Sequence, residues 1–103
     1  LGQSNPAAVT ATALYTVPAS KEAVVSSISV CNLASSSATY RIAIRPAGAS
    51  LANQHYVAYD VTVGASDTTI ITAGFTVATT DVITVYASTA NIAFSAFGDE
   101  ASV

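Results

Sequence analysis

Alternation of side-chain character with a period of two is the feature that most constrains how this chain of 103 residues can fold. The clearest example is the segment Thr39–Arg45. One set of alternating residues is apolar or aromatic and consists of Tyr40, Ile42 and Ile44. The other set consists of Arg41, Ala43 and Arg45. Successive side chains of a β-strand point to opposite faces of the sheet, so this pattern predicts a strand with one face toward a core. No segment shows the i, i+3, i+4, i+7 spacing of an amphipathic helix, and the sequence therefore predicts an all-β protein.

Short segments of this kind follow one another at intervals of about ten residues, with turn signals between them. The predicted strands are Thr10–Val17, Ala23–Asn32, Thr39–Arg45, His55–Val63, Thr68–Thr72, Asp81–Ala87 and Ile92–Phe97, with Phe75–Ala78 as a further short piece. Such spacing predicts a single-domain antiparallel β-sandwich of jelly-roll or Ig-like topology with seven to eight strands. We expect residues 1–8 to form an N-terminal arm, residues 9–98 the sandwich and residues 99–103 a C-terminal tail.

Three segments allow more detailed predictions. Both faces of Ala23–Asn32 are small or apolar, so we expect this strand to be central and covered on both sides. The turn Ser88–Asn91 predicts a hairpin between the last two strands. In the strand His55–Val63, the residues expected to face the core are Val57, Tyr59, Val61 and Val63.

Charged residues are scarce, and their number excludes some partners. The chain has 3 Lys and Arg and 6 Asp and Glu, with a formal net charge of −3. Binding to nucleic acid requires a basic patch, and binding to an anionic membrane surface depends on basic residues too. Ser, Thr and Gly interrupt every apolar stretch before it reaches about 18 residues, and residues 1–5 lack the features of an export signal. We therefore expect no nucleic-acid partner, no membrane partner and no classical signal.

Catalysis needs clustered titratable groups or an activated nucleophile, and this chain has one His and one Cys. His55 and Asp60 lie five residues apart on one predicted strand and so on opposite faces. No nucleophile-elbow motif surrounds Cys31, which we expect to be a buried thiol. We predict no catalytic residue, no cofactor and no metal site. Four further carboxylates lack the spacing of a calcium loop and are expected in solvated loops: Asp67, Asp81, Asp99 and Glu100.

The two arginines are the more informative polar residues. Arg41 and Arg45 lie on the polar face of their strand, and arginine is favoured at interfaces because its guanidinium forms paired hydrogen bonds with carboxylates. They could pair with Asp60 in a neighbouring strand, with the acidic tail or with another protein, or simply aid solubility. Tyr56 is expected to be exposed and Tyr59 to be core. A carbohydrate-binding platform of Tyr56, Tyr59 and Tyr86 is an alternative interpretation.

Four segments are distinctive in their order along the chain: LYTVPA at 14–19, ISVCN at 28–32, IRPAGA at 44–49 and VYASTA at 85–90. Together they resemble small β-rich virion proteins of tailed bacteriophages, including phages of aquatic bacteria and cyanobacteria, over about residues 10–98. The resemblance implies a non-enzymatic structural component of a virus particle. Within that class we favour a capsid decoration, or cement, protein that stabilises the outer shell.

A decoration protein of this kind would have the major capsid protein and copies of itself, as a homotrimer, for partners. It would lie on the exterior of the capsid after synthesis in the host cytoplasm. The alternative is a tail, baseplate or fibre-associated structural or adhesin module, with tail proteins or a host glycan as partner. The residues predicted to make the contacts are Arg41, Arg45, Tyr56, Leu1, Gln3 and Asn5.

Overall fold

The structure is a computed structural model that describes residues 1–102. Two short 3₁₀ turns, Pro46–Gly48 and Asn53–His55, are its only helical segments among those residues, and the prediction of an all-β protein is confirmed. The eight strands are β1 (Gly2–Ser4), β2 (Thr12–Thr16), β3 (Lys21–Asn32), β4 (Ala38–Arg45), β5 (Tyr56–Val63), β6 (Thr68–Val77), β7 (Val82–Ala87) and β8 (Ile92–Ser102). Within residues 1–102, no helix has the length and apolar character needed to cross a membrane.

The strands form two antiparallel sheets that pack as a β-sandwich. Sheet 1 has the order β1-β8-β3-β6, and sheet 2 has the order β2-β7-β4-β5. The pairs β1–β8, β2–β7, β3–β6 and β4–β5 are nested, as if one long hairpin had been folded over into two layers. This order is the eight-stranded jelly roll, whereas an immunoglobulin domain places strands ABED and CFG in its two sheets. The predicted sandwich is confirmed, and its strand order selects the jelly roll.

Only the connection from β4 to β5 joins neighbouring strands of one sheet, and every other connection crosses between the sheets. The predicted hairpin at Ser88–Asn91 is therefore wrong, because this turn carries the chain from β7 in sheet 2 to β8 in sheet 1. The segments Thr68–Thr72 and Phe75–Ala78, predicted as separate pieces, belong to the single strand β6, which ends at Val77.

The core lies between the two sheets. Tyr40 of β4 and Phe94 of β8 meet edge to face across it, with ring centroids 6.2 Å apart. The alternation predicted for Thr39–Arg45 is confirmed, since Tyr40 and Ile42 are buried and Ile44 packs against the core. The inward set of β7 is also fully buried: Ile83, Val85 and Ala87.

A bulge in β3 changes which of its residues face the core. Val25 pairs with Gly98 of β8, and the next pair is Ser27 with Phe97, so β3 contains one extra residue at this point. The extra residue shifts the alternation, and Val25 and Ile28 are both buried while Val24 is exposed. β3 is central in sheet 1, as predicted, but only one of its faces is covered, because the second sheet packs on one side.

β5 contains two irregularities, which overturn the prediction for its faces. Ile42 pairs with Ala58 and Ala43 with Tyr56, so Val57 is an extra residue. The register also shifts between the Tyr40 and Ile42 pairs, opposite Arg41. As a result Val57 and Tyr59 are exposed. Val61, which pairs in register with the buried Tyr40, is also partly exposed, so of the four residues expected in the core only Val63 is buried.

The two ends of the chain are strands rather than a free arm and a free tail. Gly2–Ser4 pairs with Ala96–Phe94 of β8, and the Leu1 amino nitrogen donates to the Ala96 carbonyl at 2.8 Å. β8 continues through Ser102, paired with β3 along its length. Of the predicted tail 99–103, only residue 103 lies outside the described residues. Backbone pairing therefore places residues 2–4 of the predicted arm and residues 99–102 of the predicted tail in sheet 1.

Candidate functional site

The outer face of sheet 2 carries a cluster of one arginine and three tyrosines, which we call the tyrosine cluster (Arg41, Tyr56, Tyr59 and Tyr86). Tyr86 lies directly opposite Arg41 in the pairing of β4 with β7. The guanidinium carbon of Arg41 is 4.1 Å from the centroid of the Tyr59 ring and 4.3 Å from that of Tyr86. Arg41 is thus held between two aromatic rings by cation–π contacts.

The β5 bulge also supplies the partner for the charge of Arg41. Asp60 adopts a φ of 51°, and its carboxylate accepts hydrogen bonds from Arg41 Nε at 2.6 Å and from Nη2 at 3.3 Å. The hydrogen bond with Asp60 raises the pKa of Arg41, and the same bond lowers the pKa of Asp60 below its usual value. Pairing of Arg41 with Asp60, one of the alternatives left open by the sequence, is the one observed.

Beside this ion pair the tyrosines form an open concavity. The rings of Tyr56 and Tyr59 stand nearly perpendicular, at 84° with centroids 4.9 Å apart. Together with Asn53 they line a cavity of about 380 Å³. Tyr59, which was predicted to be a core residue, is 55% exposed, because the irregular register of β5 turns it outward. Tyr56, which was predicted to be exposed, is half-buried.

Arg45 lies on the same strand as Arg41, but it donates hydrogen bonds to uncharged groups and not to a carboxylate. Its Nε donates to Thr84 Oγ1 at 3.0 Å, and its Nη1 donates to the Ala49 carbonyl at 3.2 Å. Thr84 is buried, so this contact ties the β4–β5 connection to β7. Arg45 therefore supports the sheet locally and is half-buried.

The other three predicted contact residues lie in β1 of sheet 1 or next to it, and only Gln3 belongs to the strand itself. Leu1 and Gln3 are exposed beside β8, where Gln3 pairs with Ser95. The carbonyl oxygens of Ala90 and Ile92 lie 2.9 Å from the side-chain amide of Asn5, whose nitrogen we assign to this side because only a donor can bond both carbonyls. The structure thus divides the six predicted residues between the two sheets, and Asn5 anchors the chain rather than projecting from it.

Sheet 1 has an outer face whose middle rows carry no charge, which we call the uncharged face. Its exposed apolar residues include Phe97 at 51% and Ile70 at 64%. Small polar residues separate them, since Phe97 pairs with Ser27 and Ile70 with Ser29. Within residues 1–102, the acidic residues of this face lie at one end, where Asp99 pairs with Val24 and Glu22 with Ala101.

Sequence reasoning missed the uncharged face because a bulge and strand order create it. No local pattern shows that Ile70 of β6 and Phe97 of β8 share a face. The nearest signal was the small and apolar character of both sides of β3. Cys31 lies on the same outward side of β3 and is half-buried, whereas a fully buried thiol was expected.

His55 and Asp81, two residues considered above as possible catalytic or metal-binding groups, accept hydrogen bonds from the backbone. His55 Nδ1 accepts a hydrogen bond from the Ala52 amide at 3.1 Å. Asp81 lies in the loop before β7, as predicted, and its carboxylate accepts from the Ala47 amide at 2.8 Å and from the Ala78 amide at 2.9 Å. Nowhere in residues 1–102 do three His, Cys, Asp or Glu side chains come together as metal ligands.

Asn32 is a buried polar residue whose role the sequence did not reveal. Its amide nitrogen donates to the carbonyls of Ser36 at 2.8 Å and Gly64 at 3.1 Å, and its oxygen accepts from the Ala34 amide at 3.0 Å. These bonds join the β3–β4 turn to the β5–β6 turn at one end of the sandwich. The residue is structural, as buried polar groups with satisfied bonds usually are.

Comparison of the chain with protein-family models, with curated proteins and with solved structures finds no match in any of the three. The surface features that indicate a function are the tyrosine cluster and the uncharged face.

Proposed function

We propose that this chain is a non-enzymatic structural protein of a tailed-bacteriophage virion, a decoration or cement protein that binds the outside of the capsid as a homotrimer. The observation on which the proposal depends is the uncharged face of sheet 1. When a close-fitting protein surface covers half-exposed apolar side chains on an uncharged sheet, it removes them from water, and this lowers the free energy of the complex. Such a face favours attachment to another protein surface.

Two further observations support the virion class. The four segments that resemble small phage virion proteins lie within the sandwich, in β2, β3, β4, β7 and the turns that follow these strands. The jelly roll recurs in viral capsid domains, although lectins and cupins share it. Because a fold does not determine function, the proposal depends on the surface and not on the topology.

The physical mechanism would be linkage between binding and assembly. A protein that binds the assembled shell but not its free subunits stabilises the assembled state by mass action. A specific interface usually buries about 800 Å² on each partner, and many copies act together on a lattice. The partners would be the major capsid protein and further copies of this chain, on the capsid exterior after synthesis in the host cytoplasm.

The test compares empty shells of the phage that encodes the chain, with and without the purified protein. We expect decorated shells to rupture at a higher temperature in scanning calorimetry. The variants Phe97→Ser and Ile70→Ser should lose shell binding and this gain. Leu33→Ser is the matched control, because Leu33 is an exposed apolar residue outside the uncharged face, and it should retain both.

Rupture at the same temperature with and without the protein would contradict the cement function. Retention of binding by both variants of the uncharged face would contradict the proposed surface. Electron microscopy of the particle adds an independent result, since density for the chain at the tail would rule out a shell location.

The tyrosine cluster favours a second candidate, a tail, baseplate or fibre-associated module that binds a host glycan. Sugars bind by stacking on aromatic rings and by hydrogen bonds to polar groups, and the concavity offers Tyr56 and Tyr59 together with Asn53. On a glycan array, Tyr59→Ala should abolish binding, while Ile70→Ser should not. No glycan binding by the wild-type chain would contradict this candidate.

A further inference from the structure

The strand β6 forms an edge of sheet 1 that has little of the usual protection. Its ten residues, Thr68–Val77, include no charged residue and no proline. Among residues 1–102, no strand pairs with its outer side, and its pairing with β3 is regular from Thr68 to Thr72. Natural proteins commonly protect an edge strand with charged side chains, proline or a covering loop, because open backbone groups pair readily with another strand. The regular stretch of β6 is therefore open to such pairing.

Two hydrogen bonds show which backbone groups of β6 point away from β3. The Asn32 amide donates to the Asp67 carbonyl at 2.9 Å, so the backbone groups of this pair face each other. Direction alternates along an antiparallel pair, and the residues that face outward are therefore Thr68, Ile70 and Thr72. The Thr68 amide donates to the Asp67 carboxylate at 2.8 Å, which agrees with an outward direction. The Ile70 and Thr72 amides and the carbonyls of all three outward residues remain for a partner strand.

A second copy of this chain fits the edge through a two-fold axis at Ile70. Antiparallel pairing centred there places Ile70 opposite Ile70 and Thr68 opposite Thr72, and it uses the whole regular stretch. A shift of the second copy by two residues would instead place Ile70 opposite a threonine. Aliphatic pairs and threonine pairs across neighbouring strands stabilise a sheet. The two Asp67 carboxylates would lie at opposite ends of the paired stretch, so like charges would not oppose the contact.

We propose that two copies of this chain associate through the free edge of β6, at residues 68–72, and join their two copies of sheet 1 into one continuous sheet. Such a contact is isologous, because the same surface is used by both copies. The uncharged face would continue from one copy into the other, since Ile70 pairs with Ser29 within that face. Other edges are less regular, with two register irregularities in β5 and one in β2.

The inference goes beyond the proposed function, because it concerns the edge of sheet 1 and a contact between two copies alone. A homotrimer has a three-fold axis, so this two-fold contact would link one trimer to the next. The experiment below uses the purified chain without shells. Its failure would therefore leave the cement function standing, and failure of the cement function would leave this contact standing.

The test traps the contact as a disulfide, because a strand edge buries less surface than a standard interface. The full chain carries Cys31→Ser, which removes its one thiol, and a single new cysteine. Opposite residues of a hydrogen-bonded antiparallel pair have α-carbons about 5.5 Å apart, a distance that a disulfide spans. Under mild oxidation, Ile70→Cys should therefore form a covalent dimer that disappears on reduction.

Two threonine variants test the register of the pairing. In Thr68→Cys alone, the two cysteines would lie about 14 Å apart along the strands, and they should not cross-link. An equimolar mixture of Thr68→Cys and Thr72→Cys should give the mixed dimer, because these positions lie opposite each other. Random collisions between exposed thiols would not distinguish the single variant from the mixture.

A charge at the axis tests whether the edge itself makes the contact. Ile70→Lys, added to both members of the mixture, should abolish the mixed dimer, because two ammonium groups would meet at the axis. The matched control Val9→Lys adds the same charge at an exposed valine before β2 and should retain the dimer. Circular dichroism checks that each variant is folded. The proposal would be overturned by no covalent dimer of Ile70→Cys, by equal cross-linking of Thr68→Cys alone, or by a mixed dimer that survives Ile70→Lys.

Discussion

At the scale of single residues, two glycines allow strands and sheets to approach closely. A β-carbon at Gly98 would overlap the carbonyl oxygen of Val24 across the β3 bulge, and one at Gly2 would overlap the carbonyl of Leu14. In contrast, a β-carbon at Gly74 would have no atom within 4 Å. The same residue type is therefore essential at two positions and replaceable at a third.

We expect Gly98→Ala to lower the free energy of unfolding by about 2 kcal/mol, because the new methyl group forces the backbones of β3 and β8 apart. Gly74→Ala should have little effect, since its methyl group enters open space. Urea denaturation of both variants provides the measurement. Equal losses would show that the clash at Gly98 relaxes without cost.

Tyr15 gives the stability of the protein a dependence on alkaline pH. Burial raises the pKa of Tyr15 to about 12, and the hydrogen bond that its hydroxyl donates to Glu100 adds to the shift. An unfolded tyrosine ionises near pH 10. The unfolded state therefore loses its proton first, and the stabilisation present below pH 10 falls as the pH rises toward 12.

The variant Tyr15→Phe should show a weaker decline of stability in this window. Some decline should remain, because burial also raises the pKa of Tyr40. Urea denaturation at several values of pH between 9 and 12 measures the decline, and tyrosinate absorbance follows the ionisation. If the free energy of unfolding of Tyr15→Phe falls with pH as steeply as that of the wild type, Tyr15 does not cause the decline.

At the scale of elements, bulges decide which side chains reach the core and which form the surface. One extra residue in β3 reverses the faces of Val24 and Val25, and the irregular register of β5 exposes Val57 and Tyr59. A one-residue shift moves every following side chain to the other face of the sheet. The same irregularity in β5 places Tyr59 and Asp60 against Arg41.

Two substitutions at Asp60 separate the ion pair from the backbone conformation of this bulge. Asp60→Asn removes the charge but tolerates a φ of 51°, whereas a β-branched valine strongly disfavours that region. We therefore expect Asp60→Val to lower the melting temperature more than Asp60→Asn does. High salt should reduce the effect of Asp60→Asn, because salt screens the exposed ion pair in the wild type.

The excess loss in Asp60→Val should persist at high salt, because strain in the backbone does not depend on screening. Melting temperatures measured at low and high salt for the wild type and both variants test this separation. If Asp60→Val and Asp60→Asn lower the melting temperature by the same amount at each salt concentration, the positive φ at residue 60 does not disfavour valine.

At the scale of the whole molecule, the jelly roll buries one side of each sheet and leaves two outer faces with different chemistry. Sheet 2 presents aromatic rings and an ion pair, while sheet 1 presents apolar and small polar side chains. The scarcity of charge thus has different consequences on the two faces. On the uncharged face, few charged side chains would have to lose their hydration when another protein binds.

One substitution made on both sides of sheet 1 tests this arrangement. Ile28→Ala removes a fully buried side chain and should lower the free energy of unfolding by about 3 kcal/mol. Ile70→Ala removes an exposed side chain and should cost less than about 1 kcal/mol. Chemical denaturation measures both. A comparable loss at Ile70 would mean that the uncharged face already has a covering in the isolated protein.

Part of the candidate site could be predicted from the sequence. Alternation in Thr39–Arg45 placed Arg41 and Arg45 on the polar face of a strand, and pairing with Asp60 was among the options. The prediction of a core position for Tyr59 was wrong, because strict alternation does not show an irregular register.

Alternation with a period of two, with turns between the segments, was sufficient by itself to determine an all-β sandwich. It was sufficient because side-chain direction along a strand is a local property of the backbone. Only the tertiary structure decided the strand order, the positions of the bulges and which faces remain exposed. These depend on contacts between residues as distant in sequence as Gly2 and Ala96, and many such pairings satisfy the same local pattern.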